Sequence, residues 1–158
     1  MRLTCCVLAS LVVASGAQAE TFVPACELMS QATAAAINGA PVSAGKEEDH
    51  PGDNNTCTFD GNGNKSTVSV EEDGPSATGI ANADMFQIRE TTPVTGMTIT
   101  PLIGLGDGAY FSQNGAIFDL WVLAGQMLLD VNVVQPQGAA SGLQAAMTAA
   151  ARTALKKM

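Results

Sequence analysis

The sequence predicts an α+β domain: a two-layer sandwich in which one antiparallel sheet carries helices packed on one face. Three observations predict it. Residues 104–134 read as three consecutive strands joined by tight turns, alanine-rich helical runs stand near both ends of the chain, and the elements follow the order helix, hairpin, helix, strands, helix without internal duplication.

Of the 158 residues, 1–19 read as a secretory signal peptide. Arg2 precedes an apolar run, and Ala17-Gln18-Ala19 supplies the small residues a signal peptidase requires before Glu20. The run is shorter than the about 20 residues a membrane-spanning helix needs, so no transmembrane segment is expected. Residues 20–158 then form a single domain of ordinary size.

Residues 24–38 read as the first helix, with Leu28, Met29, Ala32, Ala36 and Ile37 along one side and Asn38-Gly39 as a C-terminal stop. The acidic, Gly- and Pro-containing stretch 43–56 reads as a mobile loop. Residues 57–60 and 66–71 form a hairpin across Gly61-Asn62-Gly63-Asn64. Residues 75–90 have weaker helical character, and 94–102 alternate as a strand that ends at Pro101, an edge position. The last helix covers 139–157. Its apolar stripe is Ala140, Leu143, Met147, Ala150, Ala154 and Met158, with Gln144, Thr148 and Arg152 outside.

Within 104–134, Asn114-Gly115 is a hairpin signal, because a type I′ turn needs positive φ at both central residues. A two-residue turn there sets Gln113 opposite Ala116, Phe111 opposite Phe118 and Tyr110 opposite Asp119. The connection around Ala124-Gly125 has two or four residues. The shorter loop places Asp119 across from Asp130, a like-charge pair that destabilises a sheet; the longer places it across from Asn132. Either way one face carries Ala109, Phe111, Phe118, Leu120, Val122, Met127, Leu129, Val131 and Val133. The other carries Tyr110, Ser112, Asp119, Trp121, Leu128, Asp130 and Asn132.

Cys5 and Cys6 fall in the signal segment, leaving Cys26 and Cys57, an even count that reads as one disulfide in an exported chain. Metal binding through two thiolates, or a free catalytic thiol, is the alternative; the lack of a nearby histidine pair counts against the first, and the acidic, not electropositive, surroundings count against the second. The formal charge of −8 becomes one unit more negative once Arg2 is removed. Such a balance disfavours nucleic acid and anionic membranes.

Catalytic machinery is not legible. His50 is the only histidine, and no nucleophile elbow, zinc-protease or P-loop string occurs. Gly104-Leu105-Gly106-Asp107-Gly108-Ala109 matches a dinucleotide fingerprint, but a strand follows where that mechanism needs a helix N-terminus. Asp60, Asn62, Asn64 and Glu71 match calcium-loop positions, but Lys65 replaces the required glycine. No catalytic, cofactor-binding or metal residue is therefore assigned, and no cofactor is expected. The candidate binding surface is the outer sheet face: Tyr110, Asp119, Trp121, Leu128 and Asp130. The second helix, predicted over 75–90, or a long loop lying over it is the competing arrangement.

Cys26 at the start of a helix ending in Asn38-Gly39, then Pro41-Val42, Cys57-Thr58-Phe59, the run Gly104 to Tyr110 and a last Ala-rich helix together resemble a group of small bacterial envelope proteins. Many members are lipid-anchored, and they are classed as domains of unknown function. The resemblance implies a paired Cys26 and Cys57, a fold similar to the Mog1/PsbP-like sandwich, and no catalytic residues. This chain departs from the pattern by lacking a lipid-anchor cysteine and by placing Phe59 where tryptophan is more usual. The expectation is a periplasmic or secreted, non-enzymatic domain that binds an envelope protein or a small apolar ligand through a sheet face. A hydrolase built on carboxylates such as Asp119 and Asp130, or a cation-stabilised structural protein, is the alternative.

Overall fold

Gly115 and Gly125 have φ of +60° and +61°, and each opens the two-residue turn of a hairpin. Glycine at the first central position is the type II′ arrangement, whose twist suits the flanking strands. These hairpins join β5 (Gly108–Asn114), β6 (Ile117–Ala124) and β7 (Met127–Val134), the predicted meander. The first turn lies one residue later than expected, so the β5–β6 register slides by two; β6 and β7 pair in the register expected of the longer loop, although a two-residue turn closes them. Phe111 faces Leu120, Phe118 faces Val133, and Asp119 faces Asn132. A shift of two preserves parity, and every residue keeps its assigned face.

The computed structural model describes residues 23–50, 54–61, 67–73, 82–135 and 141–158. The expected signal peptide, 1–19, lies outside them. Around the meander stand α1 (Ala25–Leu28), α2 (Gln31–Asn38), β1 (Lys46–His50), β2 (Asn54–Asp60), β3 (Thr67–Asp73), α3 (Asn82–Thr91), β4 (Met97–Leu102) and α4 (Leu143–Ala154). The seven strands among the described residues form one antiparallel sheet in the order β1-β2-β3-β7-β6-β5-β4. The class is α+β, as the sequence predicts.

Two expected elements are redrawn. The first helix breaks at Met29, which is extended, because Ser30 caps α2: the Thr33 N–H donates to its Oγ at 3.2 Å. The acidic loop contains a strand instead. Lys46–His50 pairs with β2 and forms one edge of the sheet. Its run of charges hides it from a search for apolar alternation and guards the edge against pairing with other chains. Pro101 sits in β4, the opposite edge, where its missing N–H costs nothing.

The main core lies between the inner sheet face and α1, α2 and α4. Phe59, Phe118, Leu120, Val122, Leu129, Val131 and Val133 meet Leu28, Ile37, Met147, Ala150 and Ala151. The buried stripe of α4 is Leu143, Met147, Ala150 and Ala154, as its spacing predicts, together with Ala151. The third helix, α3, is placed differently. β3 sits beside β7 and β4 is the far edge, so the chain between them must pass β7, β6 and β5. α3 lies on that crossing and packs on the outer face, against β6 and β7.

Candidate functional site

The outer face carries the residues expected there, arranged in two rows across the strands. Tyr110 pairs with Trp121 and Trp121 with Asp130; in the next row Ser112 pairs with Asp119 and Asp119 with Asn132. Their proximity is as predicted, but their exposure is not. Phe86 of α3 lies over Tyr110 with ring centroids 5.0 Å apart, and Phe86, Tyr110 and Leu128 form a second apolar cluster with Trp121 packed beside them. Tyr110 and Leu128 are each 1% exposed, Asp119 is 8% and Asp130 4%. The five-residue surface of Tyr110, Asp119, Trp121, Leu128 and Asp130 is therefore not an open binding face. The crossing of α3 covers it.

The polar groups of the outer face are specifically held. Asp119 accepts from Ser112 Oγ at 3.1 Å and from Asn132 Nδ2 at 2.5 Å. Asp119 and Asp130 do not face each other, so the like-charge clash of the shorter loop is absent. The Arg89 guanidinium stacks over Trp121, 3.9 Å from the ring centroid. Tyr110 Oη is buried without a hydrogen-bond partner among the described residues. Burial pushes its pKa far above the ordinary value. Arg89 pulls it down, and the charges of Asp130, Asp119 and Glu90 add to the rise.

An opening lies on the other side of the sheet. A groove of about 630 Å³ runs between the first turns of α4 and the β5–β6 hairpin. Half-buried Phe111 lies at its floor, backed by the fully buried Phe118, their rings 6.2 Å apart and 26° from parallel. Gln113 stands on the strand side, and Gln144, Thr148 and Arg152, spaced four apart on one face of α4, form the other wall. Arg152 is exposed and makes no ion pair or hydrogen bond with the described residues. The sequence had placed these three α4 residues in solvent. It gave no sign that the sheet ends beneath them with an aromatic floor, because that depends on where α4 crosses β6 and β7.

A third cluster surrounds the disulfide. Cys26 and Cys57 are bonded, with Cα atoms 4.9 Å apart, which ties α1 to β2. Glu47 of β1 reaches the same point: the Ala25 N–H donates to its Oε1 at 2.6 Å and the Cys26 N–H to its Oε2 at 2.7 Å. Gly45 backs onto the sulfurs. The sequence reading missed Glu47 because it fell in a presumed loop.

The remaining motifs behave as turns. Asp107 of the glycine-rich run accepts from the Gly125 N–H at 2.7 Å and donates its own N–H to the Leu123 carbonyl, tying that loop to the β6–β7 hairpin. A strand follows it, as expected. Asn62 and Asn64 of the calcium-like pattern lie outside the described residues. No helix among the described residues is long and apolar enough to cross a membrane. A disulfide in such a chain is compatible with an oxidising, extracytoplasmic location. No family model matches this chain, and no curated protein or solved structure is significantly similar to it.

Proposed function

We propose that this is an exported, non-enzymatic binding domain of the bacterial envelope, periplasmic or secreted, that takes a small ligand with an apolar body and one anionic group. The groove between α4 and the β5–β6 hairpin is the observation that carries this reading. Its volume of about 630 Å³ falls in the range of small-molecule sites. Phe111, backed by the fully buried Phe118, offers an apolar floor, and Arg152 offers at the wall a guanidinium without an ion pair or hydrogen bond among the described residues. In a chain of net charge −8 a free cation beside aromatic rings favours an anionic head group over a cationic one. The expected recognition through a sheet face is kept, but on the inner face where α4 leaves it open.

A carboxylate-dependent hydrolase has less support. Asp119 is enclosed and held by Ser112 and Asn132, which leaves no room for substrate beside it.

The test uses 8-anilinonaphthalene-1-sulfonate, an aromatic body with one sulfonate. Saturable one-to-one binding to the oxidised protein is expected. Arg152→Gln weakens it at least fivefold, and Ala149→Trp, which fills the groove from an exposed helix position, abolishes it. Unchanged circular dichroism and thermal midpoint in both variants exclude unfolding as the cause. Equal binding by wild type and Ala149→Trp would sink the proposal.

A further inference from the structure

The disulfide corner holds three potential metal donors. Cys26 Sγ, Cys57 Sγ and a Glu47 carboxylate oxygen all lie within 4.8 Å of one another. While the sulfurs are bonded to each other neither is a thiolate, so the oxidised chain has no site there. We propose that reduction of this disulfide by a dithiol converts the corner into a site for a thiophilic divalent cation, with zinc as its test ion.

Reduction transfers two electrons and two protons from the dithiol, which becomes a disulfide, and leaves Cys26 and Cys57 as thiols. The cation then displaces both thiol protons to solvent and is bound by two thiolates and one carboxylate. Zinc bonds to sulfur at about 2.3 Å and to carboxylate oxygen at about 2.0 to 2.2 Å. Tetrahedral geometry at those bond lengths puts donor atoms roughly 3.5 to 3.8 Å apart. The donors here lie within 4.8 Å of one another, so the sulfurs must separate and the carboxylate needs to close by no more than about 1 Å.

Two features make Glu47 a prepared ligand. Its oxygens each accept one backbone N–H, from Ala25 and Cys26, and each retains a second lone pair for a cation. Those N–H groups orient the carboxylate as an outer shell orients a metal ligand. Access is also available, since Glu47 is exposed and Cys26 half-buried, so solvent supplies a fourth ligand. The acidic surroundings that disfavour a free reactive thiolate favour a bound dication. This site is separate from the α4 groove and does not depend on the proposal made for it.

The experiment compares the oxidised and the anaerobically reduced full chain by zinc titration against a chromophoric chelator, with cobalt absorption as a second readout. One zinc per reduced chain is expected, and none in the oxidised chain. Cobalt should give sulfur-to-metal charge-transfer bands with the intense visible absorption of a tetrahedral site. Cys57→Ser should remove the bands, and Glu47→Gln should weaken zinc at least tenfold while leaving two-sulfur bands in place. A reduced chain that binds no zinc, or binds it between two chains, overturns the site. Undiminished affinity in Glu47→Gln overturns the role of the carboxylate, and zinc bound equally by the oxidised form overturns the redox gate.

Discussion

The Arg89 guanidinium carbon lies 3.9 Å from the centroid of the Trp121 ring. This contact fastens the helix of the outer face to β6, and with Phe86 on Tyr110 it closes the surface that the sheet pattern alone would leave open. The helix has little else with which to hold its place. Only Asn82 and Phe86 of its residues are buried, and Asn82 Nδ2 donates to the Gln126 carbonyl at 2.6 Å.

Trp121 therefore reports on α3, and it is the only tryptophan in the chain. Its emission should be blue-shifted relative to free indole and poorly quenched by acrylamide. Arg89→Ala should raise the quenching constant at least twofold and cost about 0.5 to 1 kcal/mol of stability, the size of a partly exposed cation–π contact. Unchanged quenching in that variant would mean that the arginine does not cover the ring.

Tyr110 is the only tyrosine, so its ionisation is directly visible by ultraviolet absorption. Its pKa in the fold is raised above the ordinary value of 10.0, chiefly by burial. The unfolded chain then loses the proton first. The stabilisation is fully present below about pH 10 and is lost as the pH rises from there toward the folded value. Tyrosinate absorption should appear together with unfolding, not before it. Tyr110→Phe removes a buried hydroxyl that has no partner among the described residues, so it should be neutral or stabilising by up to about 1 kcal/mol and should flatten the alkaline limb. A freely titrating tyrosine near pH 10 in the folded protein would contradict the burial.

Asp119 is a buried carboxylate satisfied by two side chains, Ser112 and Asn132. Asn132→Ala withdraws one donor and should cost about 1 to 3 kcal/mol, the penalty for orphaning a buried charged acceptor. A double-mutant cycle with Asp119→Ala should return a coupling above about 1 kcal/mol. Additive losses would mean that the short contact between them contributes nothing.

The sheet parity, the disulfide and the inner stripe of α4 were legible because each follows from local chemistry: alternation by two, an even cysteine count, and a spacing of three and four. Tyr110, Trp121 and Asp130 were correctly brought together for the same reason. Their burial entered only as the competing arrangement, with the predicted second helix lying over the face, since it depends on β3 docking beside β7 and sending α3 across the outer face, a long-range choice written in no single segment. The two-residue slide of register arose from reading Asn114-Gly115 as the turn. Glycine at the first central position puts positive φ only on Gly115, and the turn closes on Gly115-Ala116. β1 was invisible because its charges serve the edge and not the core. Arg152 and its groove were missed because α4 offers three polar residues whose neighbour is a strand far off in sequence.

Gly45 gives the sharpest stability test of the disulfide corner. A Cβ on it would stand 2.6 Å from Cys57 Sγ, 2.9 Å from Phe59 Cε1 and 3.0 Å from Cys26 Sγ. These atoms belong to a crosslink and a buried ring, which cannot swing away as a flexible side chain would. Gly45→Ala should cost about 1 to 3 kcal/mol, the usual size of overpacking. The disulfide itself, with 31 residues of separation, should contribute about 3 to 4 kcal/mol by restricting the unfolded chain. If Gly45→Ala acts through the sulfurs, its cost should shrink in a Cys26→Ala/Cys57→Ala background, where the space is freed. Urea unfolding of the four variants measures both terms, and an undiminished alanine penalty without the sulfurs would locate the strain at Phe59 instead.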